Sequence, residues 1–81
     1  MGMFTINECI KKIMKEKGIT QKQLARMLRI TQQGASDRVR NPNVSLNKAI
    51  ETLEALGYEV IIRPFSKGVG HSGEIVLERV E

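Results

Sequence analysis

Residues 20–40 read TQKQLARMLRITQQGASDRVR, and this stretch decides the fold. Thr20 and Gln23 have capping-box spacing, so a short helix opens at Gln21. Leu24, Ala25 and Leu28 recur at helical intervals and give that helix an apolar face. Ile30 lies in the turn that follows. Thr31 is placed to cap a second helix, with Ala35 and Val39 facing inward and Gln32, Gln33, Ser36 and Asp37 facing outward. A short polar-faced helix held by a partner helix has the shape that enters a DNA major groove.

Upstream, Thr5 and Glu8 form another capping box, and Ile6, Ile10, Ile13 and Met14 follow at helical intervals. Cys9 falls inside this pattern and reads as a buried structural thiol. The helix should end near Gly18, which suits a left-handed C-terminal residue. Downstream, Asn41-Pro42-Asn43 interrupts the helical pattern as a loop. Ser45 then caps a fourth helix, whose stripe is Leu46, Ala49, Ile50, Leu53 and Leu56, closed by Gly57. Glu51 and Glu54 lie three apart on its outer side and read as a solvated face. Lys11, Lys12 and Lys15 read likewise, opposite the isoleucine stripe of the first helix.

After Gly57 the period changes. Residues 58–63 (YEVIIR) and 74–80 (EIVLERV) are rich in β-branched side chains. Between them, FSKGVGHSG reads as a flexible loop longer than the usual hairpin connection. The expectation is a two-stranded antiparallel ribbon. Such a ribbon is marginal alone in water. Its first strand is apolar on both faces, Val60 and Ile62 on one and Ile61 on the other. A second copy would cover what one copy leaves exposed, so Tyr58, Val60, Ile61, Ile62, Ile75, Val76 and Leu77 are the expected dimerisation residues, with the fourth helix as the alternative interface.

The chain has 81 residues and a net charge of +4. That length points to one domain with a small core, which association with a second copy would help. The charge is uneven. Residues 1–48 carry ten Lys/Arg against three acids, whereas residues 49–81 carry three against six. A basic half suits a polyanion, and the remainder suits another task. No apolar run approaches the ~18 residues of a membrane span, and the secretory h-region pattern is missing from the N-terminal residues. A single cysteine allows no internal disulfide and fits a cytoplasmic setting.

Residues Gln21, Leu24-Ala25, Leu28, Ile30-Thr31-Gln32-Gln33, Asn41-Pro42 and Leu46 through Leu56-Gly57 together resemble the helix-turn-helix domain of the lambdoid phage repressors and Cro proteins, the Cro/C1 type. The resemblance runs from Ile10 to about Tyr58. It implies a mainly α fold, a four- to five-helix lambda-repressor-like domain followed by the β ribbon. It also implies that Gln21 contacts a phosphate and that Gln32 and Gln33 reach base edges. The chemistry of the residues agrees. A glutamine amide sets a donor beside an acceptor, matching adenine N6 and N7. Exposed N–H groups at helix N-termini favour phosphates near Gln21 and Ser45.

The sequence departs from the family in two places. The family usually has glycine where Arg29 stands, and a left-handed backbone there would cost a non-glycine residue about 1 kcal/mol. The family also prefers an aliphatic residue where Arg38 stands, whereas the inward residues here read as Ala35 and Val39. Gly34 lowers the propensity of its short helix by about 1 kcal/mol relative to alanine.

The expected DNA-facing set is Gln21, Lys22, Gln32, Gln33, Ser36, Asp37, Arg38, Arg40, Asn43 and Ser45. The expected organisation is a DNA-binding domain over 1–57, with 58–81 as its dimerising extension. The reading is a transcriptional regulator, a repressor of phage or mobile-element type, acting as a homodimer on double-stranded operator DNA. The alternative is an antitoxin-like module that binds a toxin partner through the tail as well as DNA. No cofactor, metal or membrane partner is expected. Catalysis is not expected either: His71 is alone in the glycine-rich loop, Cys9 is read as buried, and zinc-ligand and phosphate-loop spacings are missing.

Overall fold

Each helix among the described residues begins on a hydroxyl. In a computed structural model describing residues 4–62 and 74–80, the helices are α1 (Ile6–Lys17), α2 (Gln21–Leu28), α3 (Gln32–Arg40) and α4 (Leu46–Ala55). Their N-caps are Thr5, Thr20, Thr31 and Ser45, whose side-chain oxygens accept from the backbone N–H of Glu8, Gln23, Gly34 and Lys48 at 3.0–3.2 Å. Glu8 and Gln23 return the contact to the Thr5 and Thr20 amides, completing two capping boxes.

Three helices also end alike. The N–H of Gly18, Arg29 and Gly57 bonds to the carbonyl of Lys15, Arg26 and Glu54, and the next residue's N–H reaches back to Met14, Ala25 and Leu53. This pair of hydrogen bonds is the Schellman arrangement, and it needs a left-handed residue at its corner. Gly18 and Gly57 supply it at φ 67° and 88°. At the third corner stands Arg29, with φ 57° and ψ 45°. The residues after the corners, Ile19, Ile30 and Tyr58, are apolar or aromatic, and Ile19 and Ile30 pack against the core.

The core is built from one stripe of each helix. The buried set comprises Ile10, Ile13 and Met14 of α1, Leu24 and Ala25 of α2, Ala35 and Val39 of α3, and Ala49, Ile50 and Leu53 of α4 with Leu56 at its end. Ala25 and Ala35 are both buried, so α2 and α3 approach closely. Leu28 packs against the core from the edge, and two stripe residues lie at the surface. Ile6 and Leu46 are each the first residue of their helix, and both are exposed. The helices reach the core only from their second turn. Cys9 is half-buried rather than buried, because it flanks the stripe of Ile10, Ile13 and Met14.

The tail forms the expected antiparallel ribbon, β1 (Val60–Ile62) with β2 (Ile75–Leu77). Val60 opposes Leu77, Ile61 opposes Val76 and Ile62 opposes Ile75. The strands are shorter than the 58–63 and 74–80 expected. At one end, the Tyr58 N–H is still bound to the Leu53 carbonyl of the helix stop. At the other, Arg79 and Val80 turn back onto α4. The glycine-rich loop and His71 lie outside the described residues. Among the described residues, no helix is long and apolar enough to cross a membrane.

Candidate nucleic-acid interface

The outward face of α3 carries the polar set that the sequence assigned to it. Gln32, Gln33, Asp37 and Arg40 are exposed and Ser36 is half-buried. Their spacing places them along one side of the helix. Ala35 and Val39, on the other side, are buried. A Cβ on Gly34 would sit 3.2 Å from Oγ1 of Thr31, the atom that accepts Gly34's own N–H. Glycine therefore leaves room for a close cap at a cost in helix propensity.

The side chains on this face match base edges in chemistry. Gln32 and Gln33 offer paired donors and acceptors suited to adenine. The Asp37 carboxylate can accept from a cytosine amino group, and Arg40 can donate to guanine or phosphate. Asn41 donates to Asp37 at 3.4 Å.

Arg38 stands apart from this set. It was expected to face outward, yet it is turned inward and 8% exposed. Its Nη1 donates to Oε1 of Glu51, to the Lys48 carbonyl at 3.3 Å and to Oγ1 of Thr52 at 3.4 Å. The physical reason is position. Residue 38 lies three after Ala35, on the buried side of α3, facing α4. A charged group can occupy that side only if it is paired, and Glu51 supplies the pair. Glu51 is thus not the solvated acid its outer-face spacing suggested. The Arg38 hydrogen bond holds its carboxyl below its ordinary pKa, helped by the charges of Arg38 and Arg79 and opposed by partial burial. Thr52 is fully buried and satisfied, donating to the Lys48 carbonyl at 2.8 Å.

The starts of α2 and α4 and the loop before α4 carry the remaining residues of the expected DNA-facing set. Gln21 opens α2 and is half-buried, and Lys22 beside it is exposed. Ser45 is exposed and engaged as the α4 cap. Asn43 is exposed in the loop, its N–H held by Oδ1 of Asn41 at 2.8 Å. The outward glutamines of α3, the start of α2 and the start of α4 thus present amides, N–H groups and cations, the inventory for bases and phosphates.

Asn7 is a residue the sequence reading did not single out. It lies in the first turn of α1 and donates to the carbonyls of Asn41 at 3.0 Å and Arg38 at 3.3 Å. It thereby closes the C-terminal end of α3. A polar residue one position after the exposed Ile6 gives no local signal of such a long-range role.

The expected dimerisation residues divide in two. Tyr58, Ile61, Ile62, Ile75 and Val76 are exposed. Val60 packs on the core and Leu77 is half-buried. Lys17 of α1 sits over the Tyr58 ring, 5.6 Å from its centre.

A family model described as helix-turn-helix matches residues 10–61. Comparison with curated proteins and with solved structures gave no significant match.

Proposed function

The chain belongs to the Cro/C1-type helix-turn-helix family of DNA-binding transcription regulators, and from that premise we propose that it is a repressor of phage or mobile-element type. It binds as a homodimer to a roughly palindromic operator in the cytoplasm and blocks a promoter by occupying it. Residues 1–57 form the DNA-binding domain and 58–81 its dimerising extension. Gln32 and Gln33 read bases, with Ser36, Asp37 and Arg40 alongside. Gln21, Lys22, Asn43 and Ser45 fix the register on phosphates. Arg38 acts from behind the helix.

The observation that carries this reading is the outward polar face of α3, opened by two exposed glutamines and backed by the buried Ala35 and Val39. Two such helices about 34 Å apart would enter successive major-groove turns, and some element must set that distance. The ribbon suits this role because Ile61 and Val76 are opposed, apolar and exposed.

The same exposed ribbon supports a second reading, in which a toxin partner covers it. Selection of bound sequences from random duplex DNA, with sedimentation of the free protein, tests both. Enrichment of a two-fold symmetric site by a dimer is expected. A sequence-indifferent pool sinks the base-reading assignment. A monomer that dimerises only with a co-encoded protein favours the second reading.

A further inference from the structure

Glu51 stands where three parts of the fold meet. Its Oε1 accepts from Arg38 of α3, and its Oε2 accepts from Nη1 of Arg79, just past β2, at 3.1 Å. Arg79 also places its Nε 3.7 Å from Glu54. Nearby, Asn47 takes the Val80 backbone from both sides. It accepts the Val80 N–H and donates to the Val80 carbonyl at 3.2 Å. The end of the tail is therefore clipped along α4 at Asn47, Glu51 and Glu54. Among the described residues, Glu51 joins the end of the tail to α3 through one carboxylate, with a cation on each oxygen.

We infer that Glu51 and Arg79 are positioning residues for DNA reading, through which the tail sets how α3 is presented to the groove. The inference rests on α3 being the reading helix. Arg38 shares its helix with Gln33, Ser36, Asp37 and Arg40, which project from the opposite side. A packed helix moves as a unit, so a change in where Arg38 is anchored tilts or shifts the outward residues. Arg79 fixes the rotation of the Glu51 carboxylate, and that rotation fixes the guanidinium of Arg38. Removing Arg79 leaves Arg38 paired but less constrained. Removing Glu51 would strand a buried cation and endanger the fold, so Arg79 is the residue to change. It is 45% exposed, and its loss leaves no buried charge unpaired.

The test uses the full chain with Arg79→Ala and Arg79→Lys. The probes are a half-site duplex from the sequence the wild type selects and a scrambled duplex of equal length. Half-sites keep dimerisation out of the comparison. For Arg79→Ala, affinity for the selected half-site should fall about fivefold or more, with scrambled-DNA affinity and the salt slope unchanged. Amide hydrogen exchange should accelerate over residues 38–41 and stay unchanged over the α1 core. Arg79→Lys should restore part of both effects. Equal losses on both duplexes with a shallower salt slope would make Arg79 a phosphate contact and overturn the inference. Unchanged half-site affinity, or unchanged exchange over 38–41, would also overturn it. If the wild type selects no sequence, the reading-helix assignment fails by itself, and the exchange measurement still decides the coupling.

Discussion

Asn7 donates its side-chain amide to the carbonyl of Asn41 at 3.0 Å, 34 positions later in the chain. The same amide group reaches the Arg38 carbonyl at 3.3 Å. The last carbonyls of a helix lack partners within it, and α3 borrows its closure from α1. Asn7→Ala should destabilise the protein by about 0.5–1.5 kcal/mol and fray the end of α3. Urea denaturation with exchange at Arg40 and Asn41 measures both. An unchanged midpoint would mean that water replaces the amide at no cost.

Arg29 occupies a left-handed corner that glycine fills at Gly18 and Gly57. Arg29→Gly should therefore stabilise the fold. The strain relieved is about 1 kcal/mol, reduced by the greater freedom of glycine in the unfolded chain. The denaturation midpoint should rise. A fall would show that the arginine side chain contributes more than its backbone costs.

Gln32→Ala and Gln33→Ala should each weaken binding to the selected operator by about 1–3 kcal/mol. Affinity for scrambled DNA should hardly change, because neither glutamine carries charge. Lys22→Ala should instead lower affinity for both duplexes and the salt slope together, leaving base preference unchanged. If both glutamine variants bind the operator like the wild type, α3 is not the reader.

Ile61 and Val76 oppose each other on an exposed face of the ribbon. Cutting the chain after Gly57 would also remove Val60 from the core and Arg79 from Glu51, so point changes are the cleaner test. Ile61→Lys with Val76→Lys should give a folded monomer by sedimentation, with much weaker binding to the full operator. A stable dimer would move the interface to α4.

Glu51 titrates below its ordinary value, chiefly because Arg38 donates to it. Glu8 does so as well, because the Thr5 backbone and hydroxyl bond to its carboxylate. Unfolding returns each to about 4.3. Above that value both states are ionised and the full stabilisation is present. As pH falls toward the depressed folded values, the unfolded state binds protons first and the stabilisation is lost. The denaturation midpoint should therefore drop from about pH 6 to about pH 3. NMR titration of the Glu51 carboxyl carbon at or above the ordinary value would remove its share.

The four helices, their caps and the outward placement of Gln32, Gln33, Ser36 and Asp37 follow from the chain's own local pattern. These depend on local rules that a reader can apply to neighbouring residues. Thr20 with Gln23 is a capping box wherever it folds, and Gln32 and Gln33 follow Thr31 by adjacency. The corners at Gly18 and Gly57 are legible in the same way, whereas Arg29 stands out only against the family pattern, and its backbone is left-handed as that pattern implies. Which polar residues stay outside depends on how the helices pack. Arg38 lies on the inner side of α3, and whether a guanidinium can remain there depends on an acid thirteen positions away. Asn7, Asn47 and Arg79 find their partners only once α1, α4 and the tail have been packed together. Hydrogen bonds and ion pairs across such separations leave no period in the sequence, because their geometry comes from the packing of the helices and not from the chain between them.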